Sequence, residues 1–424
     1  MKVKIEFIIN FFLLKNMSIY SSFNRINKYI KHTPLEFNMR FSEKFNCNVY
    51  FKREDLQINR SFKIRGVYNK VLKLKNKKTI NNIVCASAGN HAQGISHICN
   101  KLKIKGHIFL PVGTPNQKIS RIKNIGMEFV DINLIGNNFN ESLNSAVSFS
   151  KKNEFDFIHP FNDLDIINGQ GTIYAEIRQE LNPDIIISCV GGGGLVSGLI
   201  NYRNYYNDDC KIYGVEPENA NSMTLALEKN KPIHINNIDT FVDGAAVSEV
   251  GNINFNIVKN GIDKMLTVDN GLLCSELVNI YQEEGIVLEP AGALSISCLN
   301  KLRPDEIINK NIVCILSGGN NDIMRYNEIL EHKLFYDGLK HYFIIRFNQS
   351  PGQLKLFLNK ILGKNDDIVR FEYLKKSNKS FGNALIGIQL IDRKDIKNII
   401  KNLNYHGVDY IKLNKNDLLY NYIV

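Results

Sequence analysis

The tripeptide Ser61-Phe62-Lys63 sets one lysine beside a bulky ring at the head of a helix-like run. A lysine kept dry loses its proton more readily than a free one, whose pKa lies near ~10.4, because burial penalises the charged form. The neutral amine attacks carbonyl carbon, and this is the residue type that Schiff-base chemistry requires. Two glycine-rich loops follow in a fixed order, Gly191-Gly192-Gly193-Gly194-Leu195 and Ser317-Gly318-Gly319-Asn320. The first comes after an apolar run and before the helical run 196–202. Amides at a helix N-terminus, freed of Cβ atoms, cradle a phosphate. A tight strand-to-helix turn is the plainer reading, yet four successive glycines exceed what a turn needs. Together the three segments describe a pocket for a phosphorylated aromatic aldehyde bonded through its carbonyl carbon to Lys63. Such a pocket belongs to an enzyme that uses pyridoxal phosphate.

Ser87-Ala88-Gly89-Asn90-His91 likewise closes a strand-like run and opens a helix. Its amides suit a substrate carboxylate, and the Asn90 amide suits a phenolic oxygen on the cofactor. Taken alone, the segment reads as an N-cap with a glycine turn. His91 reads as a packing or helix-surface residue and is assigned no proton transfer. Ser317 ends the apolar run 312–316 and offers a hydroxyl to a pyridine nitrogen. A hydroxyl cannot hold a positive ring as a carboxylate would, so fast loss of a β-leaving group is favoured over a long-lived carbanion. Neither G-x-x-x-x-G-K-[ST] nor a G-x-G-x-x-G with a partner acid is cleanly present, which weakens a nucleotide site.

The elements that must position these residues alternate. From about residue 49 to 320, short β-type runs (49–52, 82–86, 107–110, 155–158, 184–190, 211–215 and 312–316) are separated by longer helical patterns. That order predicts parallel sheets covered on both faces, with ligands beyond the carboxyl ends of the strands. The loops at 87–91, 191–195 and 317–320 all fall at such ends. Past about residue 332 the texture changes to a β-α-β-β-α-β order: strands 341–347, 368–373, 384–390 and 410–413, helices opening at 350–352 and spanning 395–403. A ferredoxin-like module of this size lies within the ordinary domain range. It holds no nucleophile–base pair, so ligand sensing or subunit packing suits it better than catalysis.

At 424 residues, 44% of them hydrophobic, the chain is too long for one ordinary domain and can bury real cores. The net charge of +11 is spread over segments rich in Asn, Ile and Tyr, with no aromatic-interleaved basic stripe, so no nucleic-acid partner is expected. Eight cysteines occur singly, several inside apolar runs such as Ile83-Val84-Cys85-Ala86, which suits a reducing cytosol. Residues 5–14 are largely apolar behind Lys2 and Lys4, but Glu6 and Asn10 interrupt them and the run is too short to span a membrane. Residues 1–17 are therefore expected to be a dispensable leader or an extended start.

The ordered set of motifs resembles the biosynthetic threonine dehydratases, within the tryptophan-synthase-β-like family of pyridoxal-phosphate enzymes. The resemblance is carried by Lys52-Arg53-Glu54-Asp55-Leu56-Gln57, Ser61-Phe62-Lys63-Ile64-Arg65-Gly66, Ala86-Ser87-Ala88-Gly89-Asn90-His91-Ala92-Gln93-Gly94, His159-Pro160-Phe161, Gly169-Gln170-Gly171-Thr172, the tetraglycine, Glu289-Pro290-Ala291-Gly292-Ala293 and Ser317-Gly318-Gly319-Asn320. It implies a two-lobed α/β, parallel-sheet catalytic domain of fold type II over 18–331, with a smaller lobe at roughly 64–160. It further implies a C-terminal ACT-like regulatory domain of ferredoxin-like α+β build over 332–424.

The resemblance implies that Lys63 bonds pyridoxal 5'-phosphate and Phe62 packs near its ring. Asn90 would contact the ring oxygen, Gly191, Gly192, Gly193, Gly194 and Leu195 would hold the phosphate, and Ser317 would face the ring nitrogen. Ser87, Ala88, Gly89, Asn90 and His91 would form the substrate loop, and Glu289 would line the pocket. Similar serine racemases carry a serine where Ala88 stands, so elimination is expected here rather than racemisation. Ser222 stands where some relatives have an acid that binds a divalent cation, so no metal is expected. The implied reaction is deamination of L-threonine to 2-oxobutanoate and ammonia, with L-isoleucine as effector and a homo-tetramer as assembly. The alternatives are a catabolic dehydratase, a β-replacement enzyme of the same fold, and a non-catalytic amino-acid sensor.

Overall fold

The computed structural model describes residues 18–373, 380–414, 417 and 419. The expected leader at 1–17 lies outside them. Among the described residues the strands run in chain order as β1 (Leu35–Phe37), β2 (Asn48–Lys52), β3 (Asn82–Ala86), β4 (Lys105–Leu110), β5 (Val130–Leu134), β6 (Asp156–Phe157) and β7 (Ile185–Cys189). They continue as β8 (Lys211–Pro217), β9 (Lys264–Val268), β10 (Asn311–Ile315), β11 (Lys340–Asn348), β12 (Asp367–Tyr373), β13 (Phe381–Gln389) and β14 (Asp409–Lys412). The described residues divide into two compact units, 18–269 with 284–321, and 270–283 with those from 322 onward.

The first unit holds two sheets. The larger runs β1-β2-β10-β7-β8-β9, parallel throughout except for β1, which lies antiparallel on the edge. Strand β7 is buried along its whole length, as a strand covered on both faces must be. The smaller sheet runs β5-β4-β3-β6 and is all parallel. Its core joins Ile83, Cys85 and Ile108 of the strands to Val67 and Val71 of helix Lys63–Lys75 and Ile95 and Ile98 of helix Asn90–Leu102.

Helix Leu164–Glu180 runs against both helix Lys63–Lys75 and helix Gly194–Tyr206. Glycine permits that closeness. A Cβ at Gly169 would lie 2.6 Å from Gly66 Cα, and one at Gly171 would lie 2.5 Å from Gly198 O. At the same junction Arg65, fully buried, donates from Nη2 to Glu54 Oε1 at 2.7 Å and from Nη1 to Glu176 Oε1 at 2.6 Å. Lys52 Nζ lies 2.8 Å from Glu176 Oε2. Burial would raise the Glu176 carboxyl, but the paired charges of Arg65 and Lys52 hold it well below the usual carboxylate range. This dry ion cluster ties β2, the turn after it and two helices together, and Lys63 is the first residue of one of those helices.

The second unit carries the antiparallel sheet β12-β13-β11-β14 with helices Gln353–Lys360 and Ile396–Tyr405 on one face, a ferredoxin-like β-α-β-β-α-β order. Its core is Phe343, Ile345, Phe357, Ile386, Ile399 and their neighbours. Residues 270–283, which fall inside the span 18–331, belong to this unit. There Ser275 Oγ donates to Asp337 Oδ1 at 2.9 Å, and the Tyr281 and Tyr326 rings lie 6.2 Å apart. Among the described residues no helix is long and apolar enough to cross a membrane.

Candidate active site

The lysine loop is stitched to the end of β10. Phe62 N–H donates to Ser317 O at 3.2 Å and Gly319 N–H donates to Arg60 O at 3.0 Å. Ser61 and Gly318 pair as an isolated antiparallel bridge between these contacts. The half-buried Lys63 opens its helix, with Nζ donating to Pro160 O at 3.3 Å and lying 5.2 Å from the centroid of the Phe62 ring. Burial pulls the Lys63 amine down to about 8, while Cys189 and Glu289 pull weakly the other way. An amine whose pKa burial lowers toward neutrality is one that Schiff-base chemistry can use.

The tetraglycine lies one residue beyond that carbonyl. A Cβ at Gly192 would meet the Phe161 ring at 2.4 Å, and Phe161 directly follows Pro160. Gly193 sits at φ 88°, where a Cβ would also meet Met223 Cε at 2.7 Å. A Cβ at Gly191 would lie 3.1 Å from the Ala245 backbone. Packing thus accounts for part of the glycine requirement that a phosphate cradle alone was invoked to explain. The loop ends β7 and opens helix Gly194–Tyr206, with Leu195 buried in its first turn. Its free N-terminal amides suit a phosphate.

At the end of β3, Ser87 Oγ accepts from Gly89 N–H at 3.2 Å, and helix Asn90–Leu102 begins one residue on. Ser87, Ala88, Gly89 and Asn90 are half-buried, and a Cβ at Gly89 would meet nothing within 4 Å. Open space therefore faces Gly89. His91 turns inward, its Nε2 2.9 Å from Ile158 O, and burial pulls its pKa down to about 3. A neutral ring so placed donates its Nε2 hydrogen to Ile158 O and takes up no second proton at ordinary pH.

Asn90 Nδ2 donates to Glu289 Oε1 at 2.7 Å, and Asn90 Oδ1 accepts from Asn320 Nδ2 at 2.7 Å. Glu289, buried, has its carboxyl raised to about 7 by desolvation and then by Asp243, with Asn90 and Lys63 opposing. Ser317 is buried at the end of β10, its Oγ donating to Ala291 O at 3.3 Å. Glu216 accepts from Met223 N–H at 2.7 Å and from Thr224 N–H at 2.9 Å, so it holds the start of helix Ser222–Glu228. Among the described residues no group of three or more His, Cys, Asp or Glu side chains could hold a metal ion.

The structure sets Ser317 and the tetraglycine at the carboxyl ends of the adjacent strands β10 and β7, Asn90 past the end of β3 in the smaller sheet, and Lys63 on a loop paired with residues 317–319. A desolvated amine, a strand–helix turn that admits no Cβ and an amide donor fit a phosphorylated pyridine aldehyde. Sequence reasoning gave no role to Arg65, Asn320 or Arg121. Their charge and amide types were visible, but their partners lie far along the chain.

A family model described as pyridoxal-phosphate dependent enzyme matches residues 26–318, which defines the class. A second, described as the C-terminal regulatory domain of threonine dehydratase, matches residues 331–423. The biosynthetic L-threonine dehydratase of Halalkalibacterium halodurans is 45% identical over 397 residues, covering 93% of this chain and 95% of that one. That of Bacillus subtilis is 43% identical over 417 residues, covering 97% and 98%. The solved processed form of threonine deaminase isoform 2 from Solanum lycopersicum superposes with a TM-score of 0.71 at 35% identity, over 76% of this chain and 92% of that one. Within the pyridoxal-phosphate class, the chain belongs to the biosynthetic threonine dehydratase family.

Proposed function

We propose that this protein is an L-threonine ammonia-lyase, converting L-threonine to 2-oxobutanoate and ammonia in isoleucine biosynthesis. The observation that carries the reading is the Lys63 amine, drawn down to about 8 beside a Cβ-free loop at the ends of a parallel sheet. Bound pyridoxal phosphate supplies an electron-withdrawing ring that stabilises negative charge on the substrate α-carbon. Lys63 would hold the cofactor and, with its amine free, would take the substrate α-proton. The amides of residues 191–195 would hold the phosphate, Asn90 would donate to the ring oxygen, and Ser317 would face the ring nitrogen. Phe62 packs near the ring.

The open loop of Ser87, Ala88, Gly89 and Asn90 receives the substrate carboxylate at the N-terminus of its helix. His91 takes part there through its backbone alone, since its ring is turned to Ile158. The Ala88 methyl has no proton to offer the face of the α-carbon opposite Lys63, which would favour loss of the β-hydroxyl over racemisation. Serine is a slower substrate, because one methyl group in a pocket is worth only ~1–3 kcal/mol.

The same reading makes L-isoleucine the effector, acting through the second unit, and a homo-tetramer the working assembly. It places the protein in the cytoplasm, where eight free, buried cysteines stay reduced. The test is 2-oxobutanoate formation from threonine by the purified protein with pyridoxal phosphate, with and without isoleucine. Activity is expected to fall with isoleucine and to vanish in Lys63→Ala. A Lys63→Ala protein working at the native rate would overturn the mechanism.

A further inference from the structure

Asn90 sits in a chain of hydrogen bonds whose two ends are chemically one-sided. Arg121 Nη2 donates to Asn320 Oδ1 at 2.6 Å. Asn320 Nδ2 donates to Asn90 Oδ1 at 2.7 Å and to Asn59 O at 2.9 Å. Asn90 Nδ2 then donates to Glu289 Oε1 at 2.7 Å. A guanidinium has no acceptor, and the Glu289 Oε1 that faces Asn90 accepts whether the carboxyl is ionised or carries its proton on the other oxygen. Each amide between them must therefore turn its oxygen toward Arg121 and its nitrogen toward Glu289. Without these ends, an asparagine amide could offer either its oxygen or its nitrogen to a ligand, since the two are nearly the same size.

We infer that Arg121, Asn320 and Glu289 are positioning residues that lock the polarity of the Asn90 amide, reserving its second Nδ2 hydrogen for the ring oxygen of the cofactor. The inference rests on the proposed contact between Asn90 and that oxygen. Arg121 comes from helix Asn116–Gly126, Asn90 from the head of helix Asn90–Leu102, and Glu289 and Asn320 from loops of the larger sheet. The relay thus joins both sheets of the first unit. Its physical effect is specific: an N–H given to the ring oxygen favours the ionised oxygen over the hydroxyl.

That ionisation state is visible in the cofactor's own spectrum, because the ionised form absorbs in the visible and the hydroxyl form in the near ultraviolet. The experiment compares the full-length protein loaded with pyridoxal phosphate with its Glu289→Gln, Glu289→Leu and Arg121→Met variants. Wild type and Glu289→Gln, which keeps an acceptor for Asn90, are expected to show mainly the visible band. Glu289→Leu is expected to shift absorbance to the near ultraviolet and to weaken pyridoxal-phosphate binding about tenfold, as loss of an oriented bond to a charged group does. Arg121→Met, which does not touch Asn90, is expected to shift the bands the same way by a smaller amount, and it carries the test alone if Glu289→Leu does not fold. A merely structural role would change stability and leave the band ratio alone. Equal ratios in wild type and variants would overturn the relay, whereas a wild type that binds no pyridoxal phosphate would overturn the reading beneath it as well.

Discussion

A lysine works as a base or nucleophile only in its neutral form, and at Lys63 desolvation supplies that form near physiological pH. Its amine is lowered to about 8, so the charged fraction falls as pH rises through that value. The rate at which cofactor-free protein captures added pyridoxal phosphate is therefore expected to climb with pH up to about 8 and then level off. A solvated lysine would keep climbing towards ~10.4. Stopped-flow absorbance across the range separates the two, and a rise continuing well past 9–10 would contradict a dry Lys63. The histidines near the site behave in the opposite sense from catalytic ones. His91 and His159 are driven to about 3 and about 4 by burial, so neither contributes a titration near pH 7.

Among the elements, the glycine loop and the helix that begins at Lys63 set the tolerances of the site. At Gly192 even a methyl group meets the Phe161 ring at 2.4 Å. Gly192→Ala is expected to cost about 1–3 kcal/mol through overpacking. It should also weaken pyridoxal-phosphate binding, readable by thermal melts and by titration of the cofactor's absorbance; an unchanged melt would place Phe161 elsewhere. Helix Lys63–Lys75 is anchored by Arg65, whose guanidinium joins Glu54 and Glu176 with no access to water. Arg65→Met leaves two carboxylates beside one lysine in a dry interior. The expected cost is about 3–5 kcal/mol, because removing one partner strands buried charge. Urea unfolding measures it, and because Lys63 is two residues away, kcat is expected to fall with stability.

At the scale of the whole molecule, the division into two units does not follow the chain in one cut. Residues 270–283 fold with the C-terminal sheet, through Ser275 to Asp337 and Tyr281 beside Tyr326. Truncation after Asn321 is therefore expected to give lower soluble yield and a lower melting temperature than the full chain. A truncated protein with an unchanged melt would show that residues 270–283 are held without the C-terminal sheet. This division was not legible in the sequence, because the helical pattern of 270–283 continues the α/β alternation around it. The chemistry was legible where it is local. Strand-ending loops, a lysine at a helix start, four successive glycines and a β-α-β-β-α-β tail follow from residue type and order, since backbone conformation and hydrogen-bonding capacity are properties of short stretches. Tertiary structure decided what depends on distant partners. Arg121 reaches Asn320 across 199 positions and Arg65 reaches Glu176 across 111, and only the fold gives those side chains neighbours. It also decided how dry each ionisable group is. Burial is a property of the surrounding packing, which no stretch of the chain specifies by itself.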